Sequence, residues 1–242
     1  MIQFSGKAIL LDIEGTTASV DFVHKVMFPF VTNNLVSFLD QSWDRSEVAN
    51  ACEQIAKDFG NSSLKSWADS QSKSPRVVVE EKIMELMRVD SKTTGLKAMQ
   101  GLIWEAGFTS GELVAPIYDD VLPALTKWNQ AGIDVRIYSS GSIAAQKLFF
   151  GHTQHGDILS QFRGHYDTTS GGKKEADSYR RIATDMGYLP HEILFVSDLE
   201  GELVAAREAG VQVAAAIRPG NAPLSETANF PEIRSFSEIS IH

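Results

Sequence analysis

Short apolar runs alternate with helical patterns over the second half of the chain. Strands are predicted over residues 8–11, 134–138, 193–196 and 211–217. Each run is short and is flanked by glycine or polar residues, which is typical of a strand buried on both faces of a parallel sheet. Helices are predicted between the strands, over residues 120–131, 143–150, 175–186 and 200–209. The alternation favours a parallel sheet covered by helices on both faces.

Residues 17–110 follow a different pattern, in which strand signals are scarce. Val48, Cys52 and Ile55 recur at helical spacing behind Ser46, and similar spacing returns within residues 83–87 and 96–103. Residues 77–79 are the one strand candidate, and they equally suit the start of a helix. We therefore predict an α/β protein with a Rossmann-like parallel-sheet core, residues 1–16 and 111–242, and an inserted, mainly α-helical cap domain, residues 17–110.

Composition excludes several classes of protein. The 242 residues include 22 Lys and Arg against 31 Asp and Glu, a formal net charge of −9, which disfavours binding to nucleic acid. The single cysteine excludes a disulfide framework and a multi-cysteine zinc site. We expect no signal peptide and no membrane span, and hence a cytoplasmic protein, with the nucleus as a further compartment in a eukaryote. A monomer is expected.

Polar residues follow the predicted strands at the edge where a parallel sheet binds its ligands. Lys173 lies in a loop before a helix, after two glycines. The other polar residues at this edge are Asp12, Glu14, Ser139, Ser140 and Asp198.

This set of side chains suits phosphoryl transfer. Asp12 is a candidate nucleophile that would form an aspartyl phosphate, and Asp12 and Asp198 offer hard oxygen ligands to Mg²⁺. Ser139 and the start of the following helix would bind phosphate oxygens, while Lys173 would neutralise charge. Glu14 is placed to act as an acid or base. Each residue taken alone is more typical of a turn, a helix cap or a solvated charge, so only the joint pattern is informative.

At these residues the chain resembles the haloacid-dehalogenase superfamily of aspartate-nucleophile phosphatases. Asp12-x-Glu14-Gly-Thr16 matches the first motif, Ser139 the second, Lys173 the third, and Asp198 with Glu202 the fourth. The superfamily typically has aspartate where this chain has Glu14.

With glutamate at this position and further motifs, the chain resembles the enolase-phosphatase family of methionine salvage (acireductone synthases). These motifs are Asp12-Ile13-Glu14-Gly15-Thr16-Thr17, Phe28-Pro29-Phe30, Gln100-Gly101-x-Ile103-Trp104, Ile137-Tyr138-Ser139-Ser140-Gly141-Ser142, Gln146-Lys147-Leu148 and Arg218-Pro219-Gly220-Asn221. The resemblance covers nearly the whole chain. It implies an enzyme with one Mg²⁺ per chain that enolises the phosphorylated diketone 2,3-diketo-5-methylthiopentyl-1-phosphate and then hydrolyses its enol phosphate.

The resemblance also implies residue roles. Asp12 would be nucleophile and metal ligand, and Asp198 would complete the metal site. Glu14 would bind the metal, with its backbone carbonyl as a candidate ligand, and would serve in proton transfer. Ser139, Ser140 and Lys173 would bind the substrate phosphate. Lys174 is the rival for the lysine role, and Lys173 is preferred because its spacing from Tyr179 matches that of the family.

Other interpretations remain open from the sequence. The chain would also suit a phosphatase of another small phosphomonoester, a non-catalytic scaffold on the same core or, less well, a carbon–halogen hydrolase. The aromatic residues Phe22, Phe28 and Trp104 would either fill a core or line a pocket for a methylthio tail. His152 and His155 lack further histidine or cysteine partners nearby, which disfavours a metal site there.

Overall fold

The computed structural model describes residues 1–242, which form two compact units. The core unit comprises Met1–Val23 and Val114–His242, and the helical unit comprises His24–Leu113. The strands are β1 (Ile2–Phe4), β2 (Ala8–Leu11), β3 (Asp134–Tyr138), β4 (Gly164–Tyr166), β5 (Ile193–Ser197), β6 (Gln212–Ala216), β7 (Glu232–Ile233) and β8 (Ile239–Ile241). The helices are α1 (Val20–Phe22), α2 (Phe28–Ser42), α3 (Ser46–Asp58), α4 (Leu64–Gln71), α5 (Pro75–Arg88), α6 (Thr94–Ser110), α7 (Val121–Gln130), α8 (Ile143–Gly151), α9 (Ala176–Met186) and α10 (Glu200–Glu208), with a π-helix at Val23–Met27.

A six-stranded sheet in the order β4-β3-β2-β5-β6-β7 forms the centre of the core unit, and all of its pairings are parallel. β1 and β8 pair in parallel as a separate two-stranded sheet. The predicted α/β fold with a parallel sheet is therefore confirmed. The predicted strands and helices of the core appear with ends that differ by a residue or so, as at β6 and α9.

The register of the central strands sets the position of the polar residues that follow them. Leu11, the last residue of β2, lies level with Ile137 of β3 and Val196 of β5. All four residues of β2 are buried, as a strand covered on both faces requires. Because three parallel strands end at the same level, the residues after them emerge along one edge of the sheet.

Helices α9 and α10 cover one face of this sheet. Their buried side chains, including Tyr179, Ile182 and Leu203, form a cluster with Leu10 and Phe195 of the strands. Helix α9 ends at Gly187, whose φ of +75° is the left-handed conformation that favours glycine at a helix terminus.

The helical unit contains α2 to α6 and no strand. Residues 77–79 belong to α5, which begins at Pro75 behind the side-chain cap of Ser74, so the open choice at this segment resolves to helix. Helices α3 and α6 approach closely at Gly95, where a Cβ would lie 2.4 Å from the backbone nitrogen of Ile55. Within this unit Phe28 stacks on Trp104 with ring centroids 6.2 Å apart. No helix combines the length and the apolar character that crossing a bilayer would require.

Candidate active site at the carboxyl edge of the sheet

Asp12 lies at the centre of the sheet edge. It directly follows β2, and its backbone N–H donates to the carbonyl of Val196 at 3.0 Å, which extends the strand pairing by one residue. Its side chain is buried, and Oδ1 accepts hydrogen bonds from the Ile13 N–H at 2.8 Å and from Lys173 Nζ at 2.6 Å. Both bonds use the same carboxylate oxygen, so neither of them involves Oδ2.

The loop after Asp12 turns tightly around the carbonyl of Ile13. That oxygen accepts from the backbone N–H groups of Thr16, Thr17 and Ala18 at 3.0–3.2 Å. Gly15 adopts φ +68°, and its N–H donates to the carbonyl of Ala18 at 2.8 Å. Glu14 lies at the start of this turn and is half-buried. We call residues 12–18 the nucleophile loop, after the candidate nucleophile Asp12.

Lys173 is buried and bridges two carboxylates. Its Nζ lies 2.6 Å from Asp12 Oδ1 and 2.7 Å from Glu202 Oε2, and Ser197 donates its hydroxyl to the same Glu202 oxygen at 2.8 Å. Burial alone would lower the pKa of Lys173, but the adjacent charges of Asp12 and Glu202 raise it above its ordinary value. The amine therefore stays charged. Its sequence rival, Lys174, is exposed.

Asp198 follows β5 and completes a group of acidic side chains at this edge. Burial raises its pKa to about 7, and the charges of Asp12 and Glu202 act in the same direction. The pKa of Glu202 is also raised to about 7, by burial and by the charge of Asp12. Three buried carboxylates face a single ammonium group, so a further cation at this edge would stabilise their ionised forms.

The donor set fits Mg²⁺, although it forms no three-carboxylate cluster. No group of three or more His, Cys, Asp or Glu side chains comes together as a metal site. Mg²⁺ keeps several waters and takes one or two carboxylates plus substrate phosphate, so a pair of aspartates suits it. Gly15 leaves room beside Asp198, because a Cβ there would lie 2.4 Å from Asp198 Oδ2. Asp12 and Asp198, with the backbone carbonyl of Glu14, are the groups that would hold the ion.

The loop after β3 carries the two serines. Ser139 is buried, its N–H donates to the carbonyl of Tyr166, and its Oγ accepts from the N–H of Gly141 at 3.3 Å. Ser140 is exposed at the same loop. Gln146 fixes the loop to β4, because its Nε2 donates to the carbonyls of Gly141 and Tyr166, both at 2.8 Å. Helix α8 begins directly behind, with Ser142 as its cap.

Two residues of the Arg218-Pro219-Gly220-Asn221 turn hold the nucleophile loop, and sequence reasoning gave them no role. Arg218 is buried, donates to the carbonyl of Thr16 at 3.2 Å and pairs with Asp120 at 2.9 Å. Asn221 donates from Nδ2 to the carbonyl of Gly15 at 2.9 Å. Glu202, noted only as part of the fourth motif, likewise emerges as a partner of Lys173. The sequence feature that singled out Arg218 and Asn221 was the four-residue motif that contains them.

His152, His155 and Cys52 lie outside this arrangement. His152 Nδ1 bonds to the carbonyl of Leu148 at 2.9 Å, a contact within α8 and its end. Cys52 is buried in the helical unit, where burial raises its pKa to about 12 and suppresses thiolate chemistry.

Comparison with known proteins shows which family and which proteins the chain is similar to. The family model for haloacid dehalogenase-like hydrolases matches residues 7–210. A protein named Enolase-phosphatase E1 from Aquifex aeolicus is 44% identical over 238 residues, which cover 97% of this chain and 99% of that protein. The protein of the same name from Drosophila mojavensis is 38% identical over 238 residues, covering 98% and 96%.

A solved structure is also similar over its whole length. The crystal structure of the UTR4 protein from Saccharomyces cerevisiae matches with a TM-score of 0.79 and 33% identity. The match covers 96% of this chain and 98% of that chain.

Proposed function

The chain belongs to the Enolase-phosphatase E1 family of haloacid dehalogenase-like hydrolases, and we propose how its residues carry out the two reactions of that name. The substrate would be 2,3-diketo-5-methylthiopentyl-1-phosphate. The products would be the acireductone 1,2-dihydroxy-3-keto-5-methylthiopentene and inorganic phosphate, within methionine salvage. The observation that carries the proposal is the buried Asp12 carboxylate, held through one oxygen by Lys173 beside a second aspartate, Asp198.

In the phosphatase reaction, Oδ2 of Asp12 attacks the phosphorus and the bond from phosphorus to the substrate oxygen breaks. A water then attacks the aspartyl phosphate, which releases phosphate and restores the carboxylate. Lys173 offsets the charge of the phosphoryl group, and Ser139 with Ser140 binds its oxygens. Mg²⁺ held by Asp12, Asp198 and the Glu14 carbonyl would neutralise the repulsion between carboxylate and phosphate.

In the enolisation, a proton leaves the carbon that bears the phosphate ester. Binding of the phosphate at Ser139 and Lys173 would bring this C–H beside the nucleophile loop. Glu14, two residues after Asp12 and half-buried, is the base that we propose.

The test follows both reactions in one anaerobic assay with the phosphorylated diketone and Mg²⁺. We expect the enol chromophore to appear before or together with phosphate. Asp12→Asn should stop phosphate release, and Glu14→Gln should slow formation of the enol. Asp44→Asn, at an exposed position of the helical unit, is the matched control. If phosphate is released only from simple esters and no enol forms, the enzyme has a different substrate. If Asp12→Asn still releases phosphate, Asp12 is not the nucleophile.

The remaining proposals concern the setting of the enzyme. We propose that residues 17–110 form a cap that excludes water during the reaction and selects the organic part of the substrate. We also propose a monomer in the cytoplasm. The chain has a single cysteine, Cys52, and hence no internal disulfide, which suits a reducing compartment. Gel filtration and light scattering test the oligomeric state.

A further inference from the structure

Asn221 has a side-chain amide whose orientation is set by its surroundings. One end of the amide lies 2.9 Å from the carbonyl oxygen of Gly15 and 3.0 Å from that of Ala216. Two carbonyl oxygens need a donor, so this end is the NH₂ group and the opposite orientation is excluded. The amide thereby links the nucleophile loop to the end of β6.

The other end of the amide, Oδ1, is buried and has no hydrogen-bond partner within the protein. A buried acceptor without a donor is costly, and native structures satisfy such groups with bound water where the protein offers no donor. We therefore expect the hydrogen-bond donor to Oδ1 to come from a bound molecule and not from the protein chain.

The position of this oxygen indicates which donor it would take. A Cβ built on Gly15 would lie 2.8 Å from Asn221 Oδ1 and 2.4 Å from Asp198 Oδ2. Both oxygens thus flank the same side of Gly15, and both are acceptors. A water molecule beside them would donate to both oxygens and direct its own lone pair away from them, as a water bound to a cation does.

We propose that Asn221 is a positioning residue that accepts a hydrogen bond from a Mg²⁺-bound water beside Asp198. The inference rests on the proposed function, because it requires Mg²⁺ at Asp12 and Asp198. Mg²⁺ dehydrates reluctantly, so the protein must supply acceptors for the waters it retains. Partners outside the ligand shell of a metal commonly change its affinity by about 10- to 100-fold.

The experiment measures Mg²⁺ binding to the metal-free full-length protein by calorimetry, without substrate. We expect Asn221→Ala to weaken Mg²⁺ binding by about tenfold or more. Asn229→Ala, an exposed asparagine in the same C-terminal segment, should bind Mg²⁺ like the unchanged protein. Thermal unfolding with and without Mg²⁺ gives a second readout. If Asn221→Ala acts only by removing the hydrogen bond to the Gly15 carbonyl, the midpoint temperature of unfolding should fall equally with and without Mg²⁺. If it acts by removing Oδ1 as the acceptor for the Mg²⁺-bound water, the increase in midpoint that Mg²⁺ causes should become smaller.

Asn221→Asp separates the two ends of the amide. It keeps an oxygen at the position of Oδ1 and removes the donor to Gly15 and Ala216, so we expect it to bind Mg²⁺ more tightly than Asn221→Ala does. If the two variants bind Mg²⁺ equally weakly, the proposal is overturned, because the hydrogen bonds from Nδ2 to Gly15 and Ala216 would then account for the whole effect on the affinity. Binding by Asn221→Ala within twofold of the unchanged protein would overturn it as well. Failure of the unchanged protein to bind Mg²⁺ would instead refute the proposed metal site, and this inference with it.

Discussion

Lys173 Nζ lies 2.6 Å from Oδ1 of Asp12, and both side chains are buried. The same amine contacts Glu202 at 2.7 Å. Two carboxylates therefore share one cation. In this arrangement Lys173 holds Oδ1 of Asp12 in place and neutralises charge next to the place where a phosphoryl group would bind.

Replacing Lys173 by Met should affect stability and activity together. Removing one partner of a buried ion pair leaves uncompensated charge, so we expect a loss of about 3–5 kcal/mol in the free energy of unfolding near neutral pH. The loss should shrink in acid, where Glu202, whose pKa is raised to about 7, becomes protonated. Phosphate release should fall by at least about 100-fold, as for loss of a major electrostatic group. Urea unfolding and phosphate assays measure the two effects.

Lys174→Met is the matched control for this variant, because Lys174 is adjacent in sequence and exposed. It should retain the stability and activity of the unchanged protein. Loss of activity in Lys174→Met, with activity retained in Lys173→Met, would transfer the lysine role to Lys174.

A second prediction concerns Gly15, where backbone conformation and close packing act together. Gly15→Ala would place a methyl group 2.4 Å from Asp198 Oδ2 at a residue with φ +68°. The left-handed conformation alone costs about 1–2 kcal/mol. We expect a larger loss of stability than this, together with weaker Mg²⁺ binding, because the Asp198 carboxylate must move.

Gly132→Ala separates the two causes. Gly132 has φ +80° but nothing within 4 Å of its Cβ position, so this variant carries the backbone strain alone. A stability loss in Gly15→Ala equal to that in Gly132→Ala would contradict the close contact with Asp198.

The sheet could be predicted from sequence because its central strands are encoded locally. β2, β3 and β5 each consist mainly of apolar residues that end at a polar group, so the strands and the edge residues Asp12, Ser139 and Asp198 follow from one pattern. β4 was not predicted, because Gly164-His165-Tyr166 has no apolar run and is a strand only through its pairing with β3. β7 and β8 depend in the same way on partners far along the chain.

The candidate site shows the same division between local and distant information. The spacing of Asp12, Lys173 and Asp198 suggested roles for each, but not that Lys173 would also contact Glu202. The contacts of Arg218 with Thr16 and of Asn221 with Gly15 join residues about 200 positions apart. No local rule relates such residues, so the motif that contains Arg218 and Asn221 could be noticed but not interpreted.

A third prediction concerns acid stability and the support of the serine loop. Gln146 donates Nε2 to two carbonyls, so its Oε1 accepts from Nδ1–H of His165 at 3.1 Å. Burial lowers the pKa of His165 to about 4, and the charge of Lys147 adds to the effect. The unfolded chain therefore binds this proton first as the pH falls. The stability from neutral His165 is complete above about pH 6.5 and is lost as the pH falls toward about 4.

Urea unfolding across this pH range, on the unchanged protein and on His165→Gln, tests the assignment. The variant should lose less stability between about pH 6.5 and about pH 4, because it carries no group that must resist protonation. The exposed His191→Gln is the control and should follow the unchanged protein. Parallel curves for His165→Gln and the unchanged protein would contradict the prediction.

The last prediction links Mg²⁺ to the protonation of Asp198. Burial, with the charges of Asp12 and Glu202, raises the pKa of Asp198 to about 7 without metal. The folded state thus holds a proton that the unfolded state releases near its ordinary pKa of 3.8. The contribution of Asp198 to the stability of the metal-free protein is therefore greatest below about pH 4, and it falls as the pH rises toward about 7.

Mg²⁺ and this proton compete for one carboxylate, so the affinity for Mg²⁺ should increase up to about pH 7 and then level off. Calorimetry at about pH 6 in buffers of different ionisation enthalpy should detect protons released on binding, and at about pH 8 it should detect almost none. Asp198→Asn should remove both the binding and the release. An affinity for Mg²⁺ that is the same at both pH values would show that Asp198 is already ionised in the metal-free protein. Lys173 would then stabilise the carboxylates at this edge more effectively than its two direct contacts with Asp12 and Glu202 indicate.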